Sequence, residues 1–150
     1  MSKYDGQIEV LARGVCIADD HLLFCQSKGD DNTYLPGGHV EFEESARDAL
    51  RREIREELGA QSSIGDFLGT VEHTFIQKGR RHCEVNLVFR FEVDELNPSR
   101  VPESLERKIG FGWIPLSELG SSPLEPACLR SLLPQWLTSA TDSANWGSSY

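Results

Sequence analysis

The chain has 150 residues, the length of one domain with a single hydrophobic core. A hydrophobic fraction of 39% and a charged fraction of 26% fit an ordinary soluble globular protein. The net charge of -9 argues against polymeric nucleic acid, whose binding faces are basic, and no run is long enough to span a bilayer.

The first seven residues are polar and lack the apolar centre of a secretory leader. Ile8 to Ala18, rich in β-branched and small apolar residues, reads as a strand. Asp19-Asp20 turns the chain and His21 to Gln26 returns as a second strand. Lys28 to Asn32 is a loop, and Tyr34-Leu35-Pro36 runs extended into Gly37-Gly38. A helix is expected from Glu44 to Leu58, with Glu43, Glu44 and Asp48 at its positive end. Ser63 to Gln77 is extended, with breaks at Gly65 and Gly69, and Lys78-Gly79-Arg80-Arg81 makes a turn.

The next strand alternates. Cys83, Val85, Leu87, Phe89, Phe91 and Val93 share one face; Glu84, Asn86, Arg90 and Glu92 share the other, with Val88 among them. Asn97 to Glu106 is a loop, Ile109 to Ile114 a strand, and Ser117-Glu118-Leu119 a short turn or helix. Ala127 to Leu137 reads as a closing helix that Pro134 must interrupt or kink. Residues 1–138 are the expected domain, and 139–150, rich in Ser and small residues, the expected disordered tail. Cys16, Cys25, Cys83 and Cys128 form no close pair, so structural zinc is not indicated and a reducing cytoplasm is the expected setting.

The most informative stretch is the central helix and the glycine pair before it. Stepping about 100° per residue, Ala46, Ala49, Leu50, Ile54 and Leu58 gather on one side. Glu57 falls inside that stripe, Glu53 on its edge, and Glu56 beside Glu53. Three carboxylates at i, i+3 and i+4 meet on one face. Two of them about 5 Å apart repel by roughly 3 kcal/mol at an effective dielectric near 20. A solvated acidic face would lie opposite the apolar stripe; here the acids lie within and beside it. A divalent cation would offset the repulsion, and hard oxygen ligands suit Mg²⁺ or Mn²⁺.

These residues resemble the signature box of the Nudix hydrolases. That pattern asks for Gly, Glu six residues on, then Arg-Glu, an aliphatic residue, any residue, Glu-Glu, any residue, Gly and a final aliphatic. Gly38, Glu44, Arg52, Glu53, Ile54, Glu56, Glu57 and Gly59 fill it, with the smaller Ala60 last. The resemblance implies an α/β (α+β) domain, an α/β/α sandwich with a mixed sheet. It implies Glu53, Glu56 and Glu57 as metal ligands, joined by the Gly37 carbonyl, and Glu44 with Arg52 as an ion pair holding loop to helix. Gly38 and Gly59 would be backbone residues of a tight loop and a helix end.

The activity implied is hydrolysis of a nucleoside diphosphate linked to another group, water attacking phosphorus with Mg²⁺ (or Mn²⁺) bound. A small nucleotide-type molecule is the expected partner, with no membrane; a homodimer also fits the family. A catalytically inactive nucleotide-binding or regulatory module is the alternative. Many relatives place an extra Glu before a late Trp, but Gly112 precedes Trp113 here. The base is left open among Glu53, Glu56 and Glu57 themselves and Glu84, Glu103 and Glu106, the last two read chiefly as solvated loop acids. Gly38, Glu84 and Tyr34 are candidate substrate contacts. Phe75 could stack on a base or fill the core, and His21, His39, His73 and His82 read as surface or hydrogen-bonded residues.

Overall fold

The computed structural model describes residues 6–138 and Ser148, so the expected tail lies, Ser148 apart, outside the described residues. In chain order the elements are β1 (Ile8–Val15), β2 (Ile17–Ala18), β3 (His21–Ser27), β4 (Gly37–His39), α1 (Ala46–Leu58), β5 (Ser63–Gln77), β6 (Arg80–Glu92), β7 (Ile109–Pro115), a 3-10 helix (Leu116–Ser121) and α2 (Leu129–Thr138). They form a mixed α+β fold with two sheets. One has the order β4-β1-β6-β5 and the other β2-β3-β7. Among the named strands β1 and β6 pair in parallel, and the other pairs are antiparallel.

Alternation along the strands builds a core on each side of the sheets. Ala12, Leu23, Phe89 and Phe91 face one way and pack with Ala49, Leu50 and Ile54 of α1. Val15, Leu22, Leu68 and Val88 face the other way and pack with Leu119, Leu129 and Leu133. Each large apolar side chain removed from water in these cores contributes about 1.5–3 kcal/mol. Among the described residues no helix is long and apolar enough to cross a membrane.

The elements differ from expectation in four places, each for a local reason. The first strand divides at Cys16, because β1 belongs to the mixed sheet and β2 to the other. A period of two cannot reveal a strand that changes partners. The central helix starts two residues late, at Ala46, because Ser45 caps it: its Oγ accepts the Asp48 N–H at 3.1 Å. The β5–β6 turn is only Lys78-Gly79, at φ 49° and 76°, the paired positive values of a tight hairpin, so Arg80 and Arg81 already belong to β6. Finally, α2 continues through Pro134 rather than breaking there.

Candidate functional site

α1 delivers its carboxylates at graded depth. Glu57 is buried at 5% exposure; the side chains of Glu53 and Glu56 are 15% and 50% exposed. Glu57 accepts a hydrogen bond from the Gly37 N–H, yet its Oε2 is buried with no partner among the described residues. Burial, then the neighbouring Glu53 charge, pushes Glu57 from the ordinary 4.5 up to about 8. Burial also raises Glu53, against the pull of Arg52. Glu53 lies under the glycine corner: a Cβ on Gly38 would sit 2.4 Å from its carboxylate. Gly37 has φ 135°, and a Cβ there would strike the Ala12 carbonyl at 2.0 Å. Gly37 is therefore required, by the backbone it approaches and by its conformation, while Gly38 leaves the room that the Glu53 carboxylate occupies.

Arg52 knits this corner together. Its Nε and Nη2 donate to the two Glu44 oxygens at 2.8 and 3.0 Å, a bidentate pair. Nη2 also donates to the His39 carbonyl at 3.0 Å. Nη1 donates to Glu53 at 3.1 Å and to both Glu56 oxygens at 3.4 Å. The hydrogen bond from Arg52 is the main reason the Glu44 carboxyl lies below its usual range. Arg52 thus restrains Glu53 and Glu56 from one guanidinium edge. Among the described residues no three His, Cys, Asp or Glu side chains converge into a metal site. The donor set nevertheless fits a hard cation: a buried carboxylate oxygen lacks a partner beside a second carboxylate held in its shadow.

A cavity of about 460 Å³ opens on the opposite sheet face. Its floor is polar because β1 and β6 present Arg13, Glu84 and Asn86 toward it. Tyr34 stands in its wall, its hydroxyl 2.9 Å from Ser27 Oγ. The cavity touches the acid cluster through Arg13, whose Nη1 donates to the Gly37 carbonyl at 3.4 Å. Gly37 thus joins Glu57 to Arg13, and the structure brings the glycine corner, the acids, Tyr34 and Glu84 into one neighbourhood. Glu84, however, belongs to the cavity: Asn86 Nδ2 donates to its Oε2 at 3.2 Å.

The other candidates separate cleanly. Glu103 is exposed. Glu106 is exposed too, but its charge adds to the upward push on Glu53 and Glu57. The loop carrying it is pinned to α1 by the Leu105 N–H, which donates to the Glu57 carbonyl at 2.8 Å. Phe75 has its ring stacked by His73 at 5.0 Å and His82 at 4.8 Å, so both imidazoles compete with any base for it. Two histidines meet a residue that sequence reasoning passed over. Glu9, 4% exposed, lies 2.8 Å from His39 Nε2 and 2.9 Å from His82 Nδ1. Burial alone would raise Glu9; its two histidine bonds outweigh that and lower it. Arg13 was passed over as well. Its signal was a lone charge inside the apolar run Val10-Leu11-Ala12-Arg13-Gly14-Val15.

A family model described as the NUDIX domain matches residues 9–136. Among curated proteins, the chain is 37% identical over 89 residues to MutT4 of Mycobacterium tuberculosis, covering 58% of this chain and 34% of that protein. It is 32% identical over 109 residues to the Nudix hydrolase YvcI of Bacillus subtilis, covering 72% and 66%. The chain thus spans about a third of one relative and just under two thirds of the other. Among solved structures, a MutT Nudix hydrolase from Burkholderia pseudomallei superposes with a TM-score of 0.65 at 27% identity, covering 85% of this chain and 97% of that one.

Proposed function

The chain belongs to the Nudix hydrolase family, and from that premise we propose that it is a Mg²⁺-dependent pyrophosphohydrolase acting on a nucleoside diphosphate linked to a further group. One observation carries the reading: Glu57 holds a buried carboxylate oxygen with no partner among the described residues, beside a Glu53 that lies under a glycine corner. A fold alone has no use for such a group, since burying a polar atom without a hydrogen bond is costly.

Glu53, Glu56, Glu57 and the Gly37 carbonyl would hold the cation. Bound there, Mg²⁺ (or Mn²⁺) would neutralise phosphate charge and lower the pKa of water. Arg52, locked to Glu44, would hold Glu53 and Glu56 in place beside Glu57. Gly38 leaves the space that lets Glu53 lie beneath the loop.

Glu106 is the base we assign. Its loop is anchored on the last turn of α1, and its carboxylate is within electrostatic reach of Glu53 and Glu57. It would take a proton from water as the oxygen bonds to phosphorus and the bridging P–O bond breaks, leaving two phosphate products. Glu84 and Tyr34 line the cavity beside the site and would contact the non-reacting part of the substrate. The four cysteines are free, which suits a reducing cytoplasm.

The test is a panel of nucleoside triphosphates, oxidised nucleotides, ADP-ribose, dinucleoside polyphosphates and sugar nucleotides, each with Mg²⁺ and with EDTA. Release of a nucleoside monophosphate or phosphate only with Mg²⁺ supports the reading. Binding without release across the panel would instead make the chain an inactive nucleotide-binding module.

A further inference from the structure

We propose that Arg13 seats the phosphate next to the reacting one, and that the cavity beyond it takes an uncharged ring bearing N–H donors and refuses a second, heavily phosphorylated group. This deepens the hydrolase reading and rests on it.

Arg13 is held in a fixed pose. It lies on β1 opposite Gly37 of β4 and Val88 of β6. Nε donates to Asn86 Oδ1 at 3.4 Å; Nη1 donates to the carbonyls of Leu35 at 3.1 Å and Gly37 at 3.4 Å. The guanidinium carbon stands 5.5 Å from the Tyr34 ring centroid. These bonds use Nε and Nη1. A guanidinium keeps further donors on Nη2, and Nη2 makes no hydrogen bond among the described residues. A donor pair in a cavity wall, linked to Glu57 through Gly37, matches the geometry of phosphate oxygens.

The floor beneath it is built, not incidental. Asn86 is 3% exposed on a sheet face where Leu or Val would pack well. It accepts from Arg13 and donates to Glu84 Oε2 at 3.2 Å and to the Val71 carbonyl at 3.4 Å. It therefore positions a cation and a carboxylate side by side. Glu84 can accept from ring N–H or amino groups but cannot tolerate a phosphate. Among the described lining residues Arg13 carries the one fixed positive charge, while Asp30 and Glu84 carry negative ones and Glu125 is paired with Arg130 at 3.2 Å. One phosphate at Arg13 is matched; a cluster of phosphates deeper in the cavity is repelled.

Binding to protein in EDTA separates this from turnover. The probes are the four nucleoside 5′-monophosphates, the matching nucleosides and inositol hexakisphosphate, measured by calorimetry. We expect at least one monophosphate to bind more tightly than its nucleoside, and the hexakisphosphate to bind more weakly than that monophosphate. Arg13→Gln should weaken the monophosphate about tenfold to a hundredfold and leave the nucleoside unchanged. Arg13→Lys, which keeps the charge without the fork, should restore part of the loss. In turnover the same loss should appear as a raised KM with kcat within a few-fold. Glu84→Gln, partly exposed and less exposed to folding failure, should admit the hexakisphosphate several-fold better. The proposal is overturned by monophosphate binding that ignores Arg13→Gln in a folded variant, by hexakisphosphate binding as tight as the monophosphate's, by a Glu84→Gln variant that still excludes it equally, or by no nucleotide binding to the wild type. Intact Arg13-dependent binding with no Mg²⁺-stimulated hydrolysis would sink the hydrolase reading instead.

Discussion

The far end of α1 and the floor of the cavity are both polar and largely buried, yet they handle charge in opposite ways. On the floor, Arg13, Asn86 and Glu84 are linked by hydrogen bonds, which leave Arg13 Nη2 as a donor and Glu84 as an acceptor for a ligand. At the helix, Glu57 lies buried beside Glu53 with one oxygen unpartnered, and the only guanidinium bonded to that group of acids, Arg52 among the described residues, reaches Glu53 and Glu56 but not Glu57. The floor is therefore a surface shaped to recognise. The helix end is an unbalanced site, poised to take up positive charge from outside the chain.

The sharpest way to break this contrast is Glu57→Gln. It keeps the shape and removes the charge, so turnover should fall by about 10²-fold or more while the fold remains. Without metal the variant should melt no lower than the wild type above pH 8, because the wild type carries an unfavourable buried charge there. Arg52→Ala should act differently. It strips the bidentate partner from Glu44 and the restraint from Glu53 and Glu56, and should destabilise by about 2–3 kcal/mol, read in denaturant unfolding.

This same contrast decides what was legible in the sequence. Glu53, Glu56 and Glu57 sit on one helix, where spacing alone fixes the shared face, and their depths follow the helical projection. Glu44 and Arg52 were placed by the family pattern, and the structure pairs them. The cavity floor was not legible as a unit. Arg13, Glu84 and Asn86 come together only through the parallel pairing of β1 with β6, some seventy residues apart, and no local period encodes that register. Glu9 with His39 and His82 is hidden for the same reason. The division of the first strand at Cys16 is likewise a decision of tertiary pairing. Ser45 could have been read, since a Ser followed by Asp three residues later is a capping pattern.

A smaller effect sharpens the electrostatic side. In metal-free protein Glu57 titrates near 8 when folded and at the ordinary 4.5 when unfolded. A raised folded value means that the native state holds a proton the unfolded chain has released. The stability tied to that proton is complete below about pH 4.5 and is lost as pH rises through about 8. Melting temperature in EDTA should decline across that window, and saturating Mg²⁺ should flatten the decline. The smallest effect belongs to Ser45→Ala. Losing the cap should cost about 1 kcal/mol and leave Mg²⁺-dependent turnover unchanged once the variant is folded, which separates helix stability from the chemistry at its far end.

The most direct measurement is Mn²⁺ binding to the wild type and to Glu57→Gln, followed at neutral pH by calorimetry in two buffers of different ionisation heat. The account expects the wild type to bind Mn²⁺ and release a proton as it does so, because Glu57 must give up the one it holds, and expects the Gln variant to bind far more weakly with no such release. Equal affinity and equal proton release in the two proteins would contradict it.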